Sequence, residues 1–299
     1  MLADASQGYR SSDLSVELVV TMTRVLENHN ITIFPPINLY IGKPPHLLIV
    51  SPRDKILYFD RQLLKQELSV AEMEKLESSI DGLRLSALVE ELGGLGGTYP
   101  PIISEASDIS FIIDTAVEEW LHQYLVFKPL GFLYFLDSIG FRQDPDVITM
   151  NETLVGLISQ EIGSEIYTKY YQKSDKDNSQ ASENNSIIDF KFNDEMRETR
   201  KQVDIYLARG DIKGAEDYME LRRQLFVSHG YNIRKLNQAY FAFHGIYGSD
   251  PASVSPIYND LKQLRARSQS VADFLNKVSA VSSYDELKKV LQGAAMNSN

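Results

Sequence analysis

Two words in the chain combine side chains that can hold a cation with one that can move a proton. They are Val117-Glu118-Glu119-Trp120-Leu121-His122 and Met150-Asn151-Glu152-Thr153. At 3.6 residues per turn, Glu118 and His122 stack on one helical face as an i, i+4 pair, while Glu119 is turned about 100° around the axis. Two ligands and a base therefore converge from a single helix. Glu152 follows His122 by 30 residues, and Pro129-Leu130-Gly131 between them supplies a break at which the chain doubles back. An antiparallel return brings Glu152 beside His122. Ile112, Ile113, Ala116, Val117, Trp120, Leu121, Tyr124, Leu125 and Phe127 surround the first word, so its helix is expected to be buried on most sides. Ionised groups on such a helix need partners.

This arrangement resembles the thermolysin-like zinc metallopeptidases, the gluzincins, in which HExxH on one helix is followed by a glutamate in an NE word on a later helix. The resemblance runs from about Ser86 to Gly163 and implies a divergent metal-dependent peptidase. On that reading Glu118, His122 and Glu152 hold one divalent metal ion, Glu119 is the general base, and a peptide or protein is the substrate. Zinc is the expected ion, with manganese and iron(II) as alternatives. The family also supplies a histidine or tyrosine from a following helical region to stabilise the oxyanion, and the segment Tyr240 to Tyr247 offers His244 and Tyr247 for that role. The run from Gly93 to Gly97 stands where the family holds substrate on an edge strand. Gly94, Gly96 and Gly97 are accordingly expected to let a substrate backbone approach.

The chain departs from the family at two linked positions. Glu118 stands where the family has its first histidine, and Gly156 stands where it has the aspartate that hydrogen-bonds to that histidine. Such a paired change fits a site rebuilt around a carboxylate. It equally fits a catalytically inactive protein that keeps the fold as a peptide-binding or interaction module. Two carboxylates and one neutral imidazole cancel a dication's charge, which implies a weaker Lewis acid than a two-histidine site and more tolerance of hard ions. Without a cation the three glutamates crowd together, and at least one takes up a proton. Glu119-x-x-His122 is also the half-motif of di-iron bundles, but the sequence holds no second copy.

Composition narrows the chemistry further. None of the 299 residues is cysteine, which excludes disulfides, thiolate metal sites, iron–sulfur clusters and a cysteine nucleophile. Of five histidines only His122 sits in a ligand pattern, so a metal site here is carboxylate-rich. With 30 basic and 41 acidic residues the net charge is -11 and the pI about 5.0, so nucleic acid is not an expected partner. No apolar run reaches the roughly 18 to 20 residues of a membrane span, and the opening Met1-Leu2-Ala3-Asp4 lacks the order of a signal peptide. The sequence as it stands is expected to be cytoplasmic, or extracytoplasmic or membrane-anchored if an upstream segment exists. Neither a phosphate-binding glycine loop nor a GxSxG elbow is present.

The elements that must position these residues point to an α+β fold. A small N-terminal α/β layer is expected over residues 1–106, the active-site helix pair over 107–172, a flexible linker over 173–191 and a helical C-terminal domain over 192–299. Short apolar runs predict strands at Ile31–Phe34, Leu39–Ile41, Leu47–Val50 and Ser86–Leu92. Capping boxes at Ser69–Glu72 and Ser283–Glu286 start helices. Further helices are expected from 13 to 29, from about 107 to 136 with a break at Pro129, and from 145 to 171. Beyond the linker they are expected at Met196–Leu207, Ile212–Phe226, Ile233–Phe243, Pro256–Arg265 and Ser270–Val278. Arg222, Arg223, Arg234 and Lys235 form a local basic cluster, expected to serve ion pairs and solvated faces, with a substrate carboxylate as the alternative.

Overall fold

A computed structural model describes residues 11–105, 108–172 and 190–296, so nearly all of the expected linker lies outside the described residues. In chain order the elements are α1 (Ser11–Asn28), β1 (Tyr40–Gly42), β2 (His46–Pro52), β3 (Asp60–Leu63), α2 (Val70–Asp81), β4 (Leu85–Glu91), β5 (Gly94–Leu95) and β6 (Ile102–Ser104). Then come α3 (Ile109–Leu125), α4 (Pro129–Ser138) and α5 (Pro145–Ile166), which continues into a π-helical turn over Tyr167–Tyr171. The chain ends in α6 (Phe192–Ala208), α7 (Ile212–Ser228), α8 (Gln238–His244), α9 (Ile257–Ala266), α10 (Val271–Ser279) and α11 (Tyr284–Met296). The fold is mixed α+β, mainly helical with two small sheets.

These elements fall into two compact units, each assembled from separated stretches of chain. One takes the described residues of 1–44, 92–181 and 257–299; the other takes 45–91 and 182–256. This corrects the expected cuts at 106 and 191, since the N-terminal layer is divided between the units and so are the C-terminal helices. The single α/β layer becomes two three-stranded sheets. In the second unit β2 pairs antiparallel with β4 from His46↔Glu91 to Pro52↔Leu85, with β3 on its other edge. In the first, β1 runs parallel to β6 with Tyr40 opposite Ile102, and β5 completes the order β1-β6-β5.

Two predicted elements shrink for identifiable reasons. Ile31–Phe34 forms no strand, because it leads into Pro35-Pro36, where two missing N–H groups prevent a ladder. The helix expected from Ile233 begins only at Gln238, where the Asn237 side chain accepts from the Tyr240 N–H at 2.9 Å and acts as N-cap. The box at Ser69–Glu72 closes in both directions. At Ser283 the hydroxyl accepts from Glu286 N–H, while the Glu286 carboxylate reaches back one residue further, to Ser282.

The first unit buries its apolar side chains around α3 and α5. Trp120, Leu121, Leu154, Ile158, Met22 and Phe274 all lie in one cluster, each such side chain contributing roughly 1.5–3 kcal/mol by removal from water. Asp108 caps α3 by accepting from the Phe111 N–H at 3.0 Å. The helix ends because Lys128 precedes a proline and is held extended, at φ -124 and ψ 157. Pro129 then starts α4 at its first turn. Gly131 lets α4 fold back on the end of α3, since a Cβ there would collide with the Leu125 backbone. Asp144 caps α5, accepting from Asp146 and Val147. His122 meets Glu152 at one end of the α3–α5 contact and Asp114 meets Gly163 at the other, so these helices run antiparallel.

The second unit has its own interior. Leu48, Val50, Ala87 and Val89 of the β2–β4 pair pack under Met73, Leu76 and Ile80 of α2. Met196, Met219, Phe226 and Phe241 fill the space among its helices.

Candidate metal centre

α3 and α5 bring Glu118, His122 and Glu152 together, with one donor atom from each lying within 4.8 Å of the other two. His122 Nε2 and Glu152 Oε2 are 3.5 Å apart. That is close to the roughly 3.4 Å separating two donors that share a tetrahedral ion with bonds of about 2.1 Å. The 4.8 Å separation is wider, so the three donors would have to draw together to share one ion. Glu152 is buried, at 5 % exposure, and Glu118 and His122 are half-buried. Two hard oxygens and an imidazole nitrogen suit zinc, manganese or iron(II). The donor set fits a divalent ion and does not name one.

Tyr134 is the member of this site that the motif words do not announce. Its hydroxyl donates to Glu152 Oε1 at 2.6 Å, and its ring stacks on the His122 imidazole with centroids 5.2 Å apart and planes 17° from parallel. One side chain thus fixes the carboxylate of one ligand and the ring plane of another. Its only sequence signal is a hydroxyl in the otherwise apolar run Pro129 to Leu136, on the break between the two words. Asn151 is fully buried beside Glu152. Neither of its amide atoms, nor His122 Nδ1, has a hydrogen-bond partner. Buried polar atoms in that condition are uncommon in native proteins.

Glu119 lies on the flank of the set. Its carboxylate fills the space beside β5, where a Cβ on Gly94 would collide with Oε1 and one on Gly96 with Oε2. The Gly96 N–H donates to it. Gly94 and Gly96 therefore make room for the carboxylate of this chain. Gly97 is the most open of the three glycines, with only Leu95 Cδ1 near its Cβ position, at 4.0 Å.

Electrostatics follow from the crowding. Burial pushes the Glu118 carboxyl up to about 7; His122 opposes the shift, while Glu152 and Asp114 add to it. Burial likewise pushes Glu119 up to about 8, with Glu118 and Glu152 reinforcing the rise, and His122 and the Gly96 N–H counteracting it. For His122 burial disfavours the charged ring, but the charge and hydrogen bond of Glu152 and the charges of Glu119 and Glu118 outweigh it and raise the ring to about 9. The three groups share protons as one system.

His244 and Tyr247 belong to the other unit. His244 lies against Tyr240, ring centroids 4.1 Å apart, with Nδ1 3.5 Å from Asp250. Gly156, in place of the family's aspartate, has open space at its Cβ position, so no side chain has moved in to substitute. The basic cluster is consumed by acids: Arg234 forks onto Glu77 at 2.9 and 2.6 Å, Lys235 reaches Asp81 at 3.0 Å, Arg222 reaches Glu195 and Arg223 reaches Glu220. Among the described residues no helix is long and apolar enough to cross a membrane. No protein-family profile matches this chain, and no match emerges among curated proteins or solved structures.

Proposed function

We propose that this chain is a metal-dependent hydrolase of peptide bonds with a carboxylate-rich centre. The observation that carries the reading is the convergence of Glu118, His122 and Glu152 within 4.8 Å on two buried helices. Three groups there that favour protonation near neutrality form an arrangement a divalent cation relieves. A bound ion would supply Lewis acidity toward a carbonyl and lower the pKa of water. Glu118, His122 and Glu152 would hold it, and Tyr134 would keep the Glu152 carboxylate and the His122 ring in register. Glu119, raised to about 8 in the metal-free site, would be held ionised by a nearby bound cation and would act as the general base, taking a proton from the attacking water and passing it to the leaving amine. Its hydrogen bond from Gly96 fixes the orientation for that transfer.

The experiment is metal analysis of the purified protein together with a peptide-library assay. Bound zinc, manganese or iron near one ion per chain, and turnover lost in Glu119→Gln, support the reading. A metal-free chain whose thermal stability ignores added zinc and manganese overturns it. The same assay with His244→Ala and Tyr247→Phe tests the oxyanion role.

A second reading is a non-catalytic module that binds peptide on the same fold. The open space at Gly156 and the unsatisfied His122 Nδ1 favour it, because a working site orients its histidine through the second nitrogen. Equal and negligible turnover of wild type and Glu119→Gln, with peptide binding retained, would select it.

A further inference from the structure

The glycine-rich run of residues 93–97 meets α3 along a single ridge. Phe111, Thr115, Glu119 and Gln123 follow one another at i+4 on that helix, and the chain from Gly93 to Thr98 passes beside them in the same direction. A Cβ on Gly93 would strike Phe111, one on Gly94 would strike Thr115 and Glu119, and one on Gly96 would stand 3.2 Å from the Glu119 carbonyl oxygen. The segment therefore lays bare backbone against the helix that carries Glu118 and His122.

Gln123 closes the ridge. Its Nε2 donates to Gly96 O at 3.3 Å and to Thr98 O at 2.7 Å. Two carbonyl acceptors fix which way this amide points, since the flipped carboxamide would set oxygen against oxygen. That orientation leaves Gln123 Oε1 buried without a hydrogen-bond partner among the described residues. An apolar side chain of similar length would fill the position with no orphaned acceptor, so the presence of an amide points to its donor. Gly96 is thereby gripped through both polar groups of its backbone, the N–H on Glu119 and the carbonyl on Gln123, one helical turn apart. The outer end of the loop has ties of its own. Thr98 Oγ1 donates to Leu95 O at 3.3 Å and to Pro100 O at 2.9 Å, and the Tyr99 hydroxyl donates to Pro36 O at 3.1 Å.

We propose that Gln123 is a positioning residue of the centre, latching the Gly96 backbone onto α3 so that the Gly96 N–H sets the direction of the Glu119 carboxylate. The proposal rests on the reading of Glu119 as general base. Gln123 acts through Gly96 and holds no reacting atom. An N–H fixed on one side of the carboxylate keeps the other side turned toward the proton to be moved. With the latch removed, the carboxylate can rotate about its own side-chain bonds. A misdirected base slows the proton step and leaves substrate binding as it was.

The test uses the full chain labelled with 15N-glycine at one fixed pH, the Gly96 amide resonance serving as probe, beside peptide-library kinetics with zinc. In wild type this amide is expected downfield and slow to exchange, as an N–H held on a carboxylate is, and Glu119→Gln should move it upfield. Gln123→Met and Gln123→Ala, one keeping the stem and one not, should each move the same resonance the same way and speed its exchange about tenfold, the size of one lost hydrogen bond. Both should lower kcat by a similar factor with KM and zinc affinity unchanged. Tyr99→Phe, which releases only the outer end of the loop, should leave the Gly96 resonance and kcat as in wild type. A Gly96 resonance that stays put in both Gln123 variants overturns the proposal. So does a Tyr99→Phe effect as large as theirs, which would reduce Gln123 to one loop anchor among several, or a parallel loss of zinc affinity, which would mean that α3 itself is disturbed. If wild type hydrolyses no peptide, the hydrolase reading fails, while the Gly96 resonance still decides whether Gln123 holds the latch.

Discussion

Each unit of this protein buries a glutamate almost completely, and the two are handled in opposite ways. Glu77, at 2 % exposure, receives a two-pronged guanidinium from Arg234, lies 3.6 Å from Lys235 and accepts the Val89 N–H at 2.7 Å. Glu152, at 5 %, takes a neutral hydroxyl from Tyr134 and has a histidine as its ion-pair partner. Two more glutamates, Glu118 and Glu119, share that histidine as the cation opposing their rise. The second unit thus completes its buried charge with fixed cations of the chain itself. The first assembles more negative charge than its histidine can match. Fixed neutralisation makes a structural site, and incomplete neutralisation makes a site open to protons and, on the proposed reading, to a metal ion.

The largest expected effect tests the structural side. Arg234→Ala strands a buried carboxylate and should cost about 3–5 kcal/mol in urea unfolding, with no dependence on added metal. A cost under about 1 kcal/mol would show that water reaches Glu77 and would dissolve the contrast.

Next comes the pH dependence of the metal-free protein. Glu118 and Glu119 rise from 4.5 to about 7 and about 8 on folding, so the folded state binds protons that the unfolded chain releases. Their contribution is present at low pH and is lost as pH climbs through those values. His122 rises from 6.5 to about 9, so its contribution is complete below 6.5 and lost as pH passes 9. All three act in the same direction. Stability in EDTA should fall by about 3 kcal/mol between pH 5 and 9, less than a simple sum because the groups are coupled. Zinc or manganese at about a hundred times its dissociation constant should restore about 2.7 kcal/mol at the alkaline end. A flat metal-free profile, or a profile that metal leaves unchanged, breaks the distinction.

The smallest effect sharpens it. Tyr134→Phe keeps the ring on His122 but removes the hydroxyl from Glu152, and should weaken metal affinity about tenfold, or about 1.4 kcal/mol, as measured by competition with a chelator. Unchanged affinity would mean that burial alone holds Glu152 in place.

The legibility of this protein divides along contact range. The i, i+4 stacking of Glu118 on His122, the caps at Ser69 and the stop before Pro129 could all be read directly, because each depends on a few consecutive residues and a helix period that packing does not alter. The return of Glu152 to His122 was readable from the break and the second helix. The extent of the first sheet was not, since β5 and β6 are only two and three residues long and their pairing with each other and with β1 gives little periodicity. Nor was the irregular stretch before Gln238, where a cap overrides an apolar run.

What the sequence determined by itself is the donor inventory: no thiolate, one histidine in a ligand pattern one helix turn from Glu118, and three glutamates, two adjacent on one helix and the third a helical return away. Tertiary structure alone decided which of those charges would be answered. Arg234 lies 157 residues from Glu77, and Tyr134 lies 18 from Glu152 on a separate helix. It also turned Glu119 toward Gly94 and Gly96 and divided one expected layer between two units. Spacing along a helix fixes direction over a few residues, whereas the partner of a buried charge depends on which distant surfaces exclude water together.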